Sequence, residues 1–190
     1  MTEKKRCSWS LSAPIYMDYH DLEWGVPVRE DQKQFEFLVL ESAQAGLSWL
    51  TILKRREGYR RLYDGFKAEK VARYDEARIS SMLQDPGIIR NRKKIESSIN
   101  NAQRFLEIQD QYGSFCKYIW GFVDGLPLVN HHKEMTDIPA STSLSDTLAK
   151  DMKQRGFRFL GSTILYAHLQ ATGLVNDHLI ECFRHRECLE

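Results

Sequence analysis

The chain has 190 residues, 42% of them apolar, with 27 basic and 26 acidic side chains and a net charge of +1 when histidine is neutral. That length and apolar fraction suffice for one core-bearing domain or two small lobes. The absence of an apolar run of about 18 residues argues against a membrane span, and the near-zero charge excludes a tail-driven polycation while leaving room for a local basic face. No apolar segment follows the charged start MTEKKRCSWS, so a cytoplasmic location is expected. The cysteines Cys7, Cys116, Cys182 and Cys188, without a secretory signal, point to metal ligation or buried thiols before a disulfide framework.

Helical spacing recurs along the chain and strand signals are weak. Pro14 opens a short helix through Tyr16, Tyr19 and His20. Asp31 is the expected N-cap of a helix running to about Ala45, with Phe35, Leu38, Val39, Ser42 and Ala45 on one buried face. Glu41, three residues after Leu38 and four before Ala45, falls on or beside that face. Gly46 ends the helix, and Ser48 caps the next, which runs through Trp49, Ile52 and Leu53 into the basic KRR. Further helices are expected over about 75–84, 91–110, 114–122, 144–155 and 161–172, while 124–143 reads as a long irregular connection. The pattern is all-α, taken as a single unit over 1–190 with two helical lobes possible. Segments 1–30 and 173–190 hold most of the potential metal ligands, so the chain ends are expected to meet.

Charge is uneven. Residues 51–61 carry five basic groups and one acid, and residues 85–94 carry four and one. Each cluster reads either as a solvated helix face or as a nucleic-acid contact. In LQDPGIIRNRKKI a Pro-Gly turn precedes a helix start with Arg90, Arg92, Lys93 and Lys94. A glycine there lets backbone approach a phosphate, and helix N-terminal amides bind the anion. This is the pattern of a helix-hairpin-helix element, and also that of an ordinary turn between two helices.

Two other groups bear chemistry. His178 and Cys182 are four apart, hence on one face if helical, and Cys7 and His20 complete a Cys2His2 set sufficient for a closed tetrahedral zinc site. The competing reading is a core histidine beside a buried thiol, and His185 and Cys188 are spare ligands that blur the assignment. Trp9, Tyr16, Tyr19, Trp24 and Trp49 crowd the first 49 positions. They read as bundle core, or as a stacking pocket whose π faces attract a cationic planar base. Glu41 beside them would add an acceptor and a negative charge, and a carboxylate on an apolar face is unfavourable unless paired or working.

With these residues assembled, the chain resembles the 3-methyladenine DNA glycosylase I family of the helix-hairpin-helix glycosylase superfamily. The likeness is carried by YxxYHDxEWGVP (16–27), ESAQAGLSWLTILKRRE (41–57), DPGIIRNRKKI (85–95), RGFRFLGSTI (155–164) and GLVNDHxxxC (173–182). It implies a helix-hairpin-helix glycosylase-like fold in which Cys7, His20, His178 and Cys182 bind one structural zinc that ties the termini together. It implies that Glu41, as the catalytic carboxylate, shares a base pocket with Trp9, Tyr16, Tyr19, Trp24 and Trp49. The base is flipped out of double-stranded DNA, the Gly46-Leu47 bend enters the gap, and Gly87, Arg90, Lys93 and Lys94 hold the DNA backbone. Gly161 and Ser162 lie in a matching segment with a weaker expectation of DNA contact. The implied activity is hydrolytic release of free 3-methyladenine from alkylated DNA, leaving an abasic site. No lyase step is expected, since no nucleophilic lysine stands out, and Asp110 reads as an exposed helix end. A monomer is expected. The rival readings are a non-enzymatic, zinc-stabilised helix-hairpin-helix DNA-binding module and an enzyme acting on another methylated purine.

Overall fold

A computed structural model describes residues 4–188, and its helices begin where the sequence supplies starts. Pro14 occupies the first turn of α1 (Pro14–Leu22), where its missing N–H would have had no intrahelical partner. Helix α2 spans Asp31–Gln44. Ser48 accepts the Thr51 N–H at the head of α3 (Trp49–Leu53). The expected run into KRR breaks at Lys54 and Arg55, and a separate α4 (Arg56–Leu62) follows. Helix α5 (Ala68–Val71) precedes α6 (Glu76–Gln84), which Asp75 caps through the Arg78 N–H. Asn91 and Ser114 cap α7 (Arg92–Tyr112) and α8 (Phe115–Trp120) in the same way. Thr142 and Ser145 form a reciprocal capping box at α9 (Ser143–Gln154). Helices α10 (Ser162–Ala171) and α11 (Phe183–Glu187) complete the helical set. Two short strands, β1 (Leu128–Val129) and β2 (Val175–Asn176), pair in parallel with Leu128 opposite Val175. The helical expectation holds, with this bridge as an addition.

Asp31 does not cap its own helix. Its carboxylate accepts the N–H groups of Phe115 and Cys116, each at 2.8 Å, and the Gln109 amide at 2.6 Å. It therefore caps α8 from a distance in sequence and pins that helix to the start of α2. Spacing alone cannot see this, because the acceptor is the same in both geometries and the donor is set by tertiary packing.

Helix α2 is the shared wall of two apolar clusters, so it is buried all round, and not on one face as its spacing suggested. Every residue from Gln34 to Ala43 is buried. Phe35, Leu38, Val39 and Leu40 enter the large cluster that also holds α7, α8 and α10 residues. Phe37 enters a second cluster with Cys7, Tyr19, Trp24, Leu53, Ala171 and Cys182. This second cluster is where the chain ends meet. Phe183 N–H donates to Lys5 O at 3.0 Å, Gly25 N–H to Gln170 O at 3.1 Å and Val28 N–H to Thr172 O at 2.9 Å.

A helix buried all round must satisfy its polar side chains internally. Gln34 donates to Val28 O and accepts from His168 Nε2. Glu36 pairs with Arg56 at 2.7 Å and Lys33 at 3.1 Å. Ser42 donates to Val39 O. Glu41 is the exception, as the next subsection describes. The same network accounts for much of the basic run 51–61: Arg56 is held by Glu23 and Glu36, Arg60 by Glu36 and Glu57, and Arg61 by Asp85. These arginines act within the fold, and the reading of this cluster as a nucleic-acid contact weakens accordingly.

Candidate active site

The second cluster opens into a cavity of about 260 Å³. Trp9 enters from the 3-10 turn Ser8–Ser12, and Tyr19 and Trp24 from α1 and the residues after it. Glu41 and Gln44 come from the last turns of α2, and Trp49 opens α3. The long connection contributes Met135 and Ile138, and α10 contributes Ala167 and Gln170. The rings brace one another at steep angles: Trp9 meets Trp24 at 5.2 Å and 78°, and Tyr19 meets Trp49 at 5.6 Å and 55°. Tilted and edge-on pairs of this kind are the favoured arrangement of aromatic quadrupoles. Trp49 Nε1 is buried without a hydrogen-bond partner.

Of the sequence-expected base-pocket residues, Trp9, Tyr19, Trp24, Trp49 and Glu41 do surround one cavity. Tyr16 does not reach its wall. It packs edge-on against Trp9 at 5.6 Å, and its hydroxyl accepts the Leu50 N–H at 2.8 Å. That bond satisfies an otherwise orphaned donor in the first turn of α3 and so fixes Trp49 next to it.

Glu41 is 3% exposed, and among the described residues no side chain or backbone group hydrogen-bonds to it. Burial pushes its carboxyl from the usual 4.5 up to about 8. The Tyr19 hydroxyl is also pushed well up, by burial first and then by the neighbouring Glu41. At neutral pH the carboxyl is thus held protonated in an aromatic box, which makes it a receptor for positive charge: an arriving cation would favour the ionised form.

Beyond Glu41 the chain turns at Gly46, whose φ of +79° lies in the left-handed region. No atom lies within 4 Å of where a Cβ would sit, so backbone conformation, and not space, selects glycine here. Leu47 projects from the turn with 40% of its surface exposed. The base of the turn is held by Lys94, which departs from its expected phosphate role. Its ammonium donates to Ala43 O and Ala45 O, each at 2.7 Å. Those are carbonyls left orphaned where α2 ends, and a lysine at a helix C-terminus also complements the macrodipole.

The turn at Gly87 likewise faces inward. The Asp85 carboxylate accepts the Gly87 N–H at 2.8 Å, and the Tyr59 hydroxyl accepts the Ile89 N–H at 3.2 Å. A Cβ on Gly58 would lie 2.1 Å from Gly87 O, so these two glycines let α4 pack directly on the turn. The glycine pair therefore serves close backbone packing, and the Gly87 amide is already engaged. Arg92 pairs with Glu76 at 2.9 Å. Arg90 and Lys93 remain exposed at the head of α7. Gly161 is the N-cap position of α10, and the Ser162 hydroxyl bonds that of Ser145 at 2.8 Å.

The four expected metal ligands converge. Ligand atoms of Cys7, His20, His178 and Cys182, all buried, lie within 4.8 Å of one another. Cys182 Sγ is 3.4 Å from His20 Nε2 and 3.6 Å from His178 Nδ1, and Cys7 Sγ is 3.8 Å from His178 Nδ1. A tetrahedral ion with bonds of about 2.3 Å to sulfur and 2.0–2.1 Å to nitrogen holds such pairs roughly 3.5 Å apart, so the set fits. The tautomers agree. His178 Nε2 donates to Trp24 O at 2.9 Å and His20 Nδ1 to Asp21 at 2.8 Å, which leaves the opposite nitrogens free to ligate. Asp21 is itself held by Arg6 at 2.8 Å. The pair His178 and Cys182 is not helical as its spacing suggested: His178 follows β2 outside any helix and Cys182 is the N-cap of α11. A turn brings them together. His185 and Cys188 stand outside the set, His185 donating to Asn130 O.

Sequence reasoning missed Gln44, Met135, Ile138, Ala167 and Gln170. The i, i+3 pair Ala167 and Gln170 marks one face of α10, a signal too common to single out. Met135 opens the 3-10 turn Met135–Asp137 and Ile138 closes it, an element too short to show periodicity.

A family model described as methyladenine glycosylase matches residues 9–185. The chain is 46% identical over 178 residues to DNA-3-methyladenine glycosylase 1 of Escherichia coli (strain K12), spanning 94% of this chain and 95% of that protein. It is 43% identical over 177 residues to DNA-3-methyladenine glycosylase of Haemophilus influenzae, spanning 93% and 96%. Among solved structures, 3-methyladenine DNA glycosylase I from Staphylococcus aureus, described for its structural basis of 3-methyladenine recognition, superposes with a TM-score of 0.91 at 39% identity, covering 94% of this chain and 95% of that one. No helix among the described residues is long and apolar enough to cross a membrane. Matched over nearly its whole length by sequence and by fold, the chain belongs to the methyladenine glycosylase family.

Proposed function

We propose that this protein is a DNA-3-methyladenine glycosylase that hydrolyses the N-glycosidic bond of 3-methyladenine in double-stranded DNA. The relatives' names support the reaction, and one local observation carries the residue assignment: a partnerless carboxyl enclosed by aromatic rings. Methylation at N3 makes the adenine of a nucleotide cationic. That charge gains from the π faces, by about 2 kcal/mol or more where water is excluded, and from Glu41, whereas neutral adenine gains little. Two such contacts correspond to a selectivity on the order of a thousandfold at about 1.4 kcal/mol per decade.

The base reaches the cavity by flipping, at a few kcal/mol, least for damaged pairs. Leu47, raised on the Gly46 turn, fills the space left in the duplex, and Arg90 and Lys93 meet phosphates. Gly87 shapes the turn that presents them, and Lys94 holds the Leu47 turn from behind. When the bond breaks, its electron pair moves onto the base and cancels the positive charge. Water oxygen bonds to C1′ and its proton is lost to solvent, leaving an abasic site and free neutral 3-methyladenine. Glu41 aids this step by stabilising positive charge near the sugar, and Tyr16 acts through Trp49, whose helix it anchors.

The Cys2His2 set takes zinc in this reading. Its four protein ligands leave no open position, so the ion is structural and joins the two ends of the chain. The absence of a disulfide among the four described cysteines fits a reducing compartment such as the cytoplasm, and the protein acts as a monomer. Chromatography of bases released from methylated DNA tests the assignment. Free 3-methyladenine is the expected product, and binding of that DNA without release of any base would favour a non-enzymatic binding module instead.

A further inference from the structure

We infer that Gln170 distinguishes adenine from guanine in this cavity by presenting its amide oxygen to the base, and that Asp177 sets the orientation of that amide. The inference rests on the glycosylase reading above and goes beyond it by assigning the choice between purines. Glu41 and the aromatic rings answer to charge. A guanine methylated at N3 carries the same charge as the corresponding adenine, so charge alone separates the two poorly, and hydrogen-bond acceptors on the cavity wall, Glu41 and with it Gln170, must make the choice. The bases differ in their hydrogen-bonding edges: adenine offers the 6-amino donor where guanine has the O6 acceptor.

Gln170 lies on α10 and lines the cavity with Ala167. Its Nε2 donates to Asp177 Oδ2 at 2.7 Å. Asp177 is 1% exposed. Its Oδ2 also receives the Tyr166 hydroxyl, and its Oδ1 receives the Asn130 amide at 2.7 Å, while His132 Nε2 lies 3.2 Å away without forming a hydrogen bond. A carboxylate oxygen surrounded by donors only accepts, so the amide nitrogen of Gln170 must face it. The Gln170 oxygen is then turned away from Asp177, and among the described residues it has no hydrogen-bond partner. A rigid, unpaired acceptor on the wall of a base-sized cavity rewards an N–H edge and opposes a carbonyl edge. Discrimination of this kind, in which the wrong partner leaves a polar group unpaired, exceeds what shape alone provides. Asp177 touches no substrate, and its part is positioning.

DNA treated with a methylating agent contains both 3-methylpurines, and chromatography measures both released bases in one reaction. The unmodified protein is expected to release 3-methyladenine in preference to 3-methylguanine. Gln170→Met keeps the side-chain length and removes the acceptor. It should lower 3-methyladenine release about tenfold or more and leave 3-methylguanine release unchanged or raised. Asp177→Asn lets the Gln170 amide turn over and should shift the ratio in the same direction. A merely structural role for either residue would lower both bases in parallel and leave the ratio where it was. That result, or an unchanged ratio in Gln170→Met, overturns the inference. If Asp177→Asn does not fold, Tyr166→Phe, which loosens Asp177, takes its place with the same expected shift. Release of neither base by the unmodified protein overturns the glycosylase reading itself, a different outcome from an unchanged ratio.

Discussion

Replacing Glu41 with glutamine should stabilise the protein and disable it. In the folded chain burial raises the Glu41 carboxyl to about 8, against 4.5 in its ordinary setting. A group whose folded value is raised holds a proton that the unfolded chain releases, so its contribution to stability is lost as pH rises from 4.5 through 8. At about 1.4 kcal/mol per unit, that loss is about 3 kcal/mol at pH 7 and approaches about 5 kcal/mol above pH 8. Glu41→Gln removes this pH dependence. A buried amide without partners takes back about 1 kcal/mol at every pH, so the slope carries the prediction more than the offset. Urea unfolding of both proteins at pH 5 and pH 8 should show the variant's advantage growing by about 3 kcal/mol between them. Base release from methylated DNA should meanwhile fall about ten- to a hundredfold, the equivalent of a charged hydrogen bond. A stability difference that does not change with pH would refute the reasoning about Glu41, and undiminished release would remove it from the site.

The remaining predictions concern the parts that hold the site. The intact protein should contain one zinc per chain by elemental analysis. Cys182→Ser should lose it and melt about 10 °C lower, at roughly 2–4 °C per kcal/mol for a chain of this length. Lys94→Met should destabilise the fold by about 2 kcal/mol by orphaning two carbonyls, yet leave the salt dependence of DNA binding unchanged. Lys93→Met should do the reverse, lowering the slope of log affinity against log salt by about 1; equal slopes in the two variants would contradict the assignment. Leu47→Ala should change stability by no more than about 0.5 kcal/mol because the side chain is exposed, while slowing base release from duplex DNA.

What the sequence made legible follows from what local chemistry determines. Ser48, Asp75 and Asn91 announce helix starts because their own side chains bond the amides three residues on. Glu41 stood out because a carboxylate among apolar spacings has few bland explanations, and the Cys2His2 set because those residue types favour metals. Three expectations differ from the structure for one reason, a side chain or glycine whose partner is distant in sequence. Asp31 has the composition of an N-cap and caps α8. Lys94 has the composition of a phosphate ligand and binds the end of α2. Gly87 was read as room for a phosphate and makes room for Gly58. Gln170 carried no local signal, because its meaning comes from Asp177 and from the cavity it faces.

The central claim is that Glu41 waits uncharged for a cationic purine, and a carbon-13 NMR titration of its side-chain carboxyl tests this directly. In the free protein the carboxyl should titrate near 8. With saturating 3,9-dimethyladeninium, a purine cation that alkylation at N9 keeps from losing its charge near neutral pH, it should titrate at least about one to two units lower, as an opposite charge within contact range dictates. A carboxyl that titrates near 4.5 in the free protein, or that ignores the cation, would contradict the account.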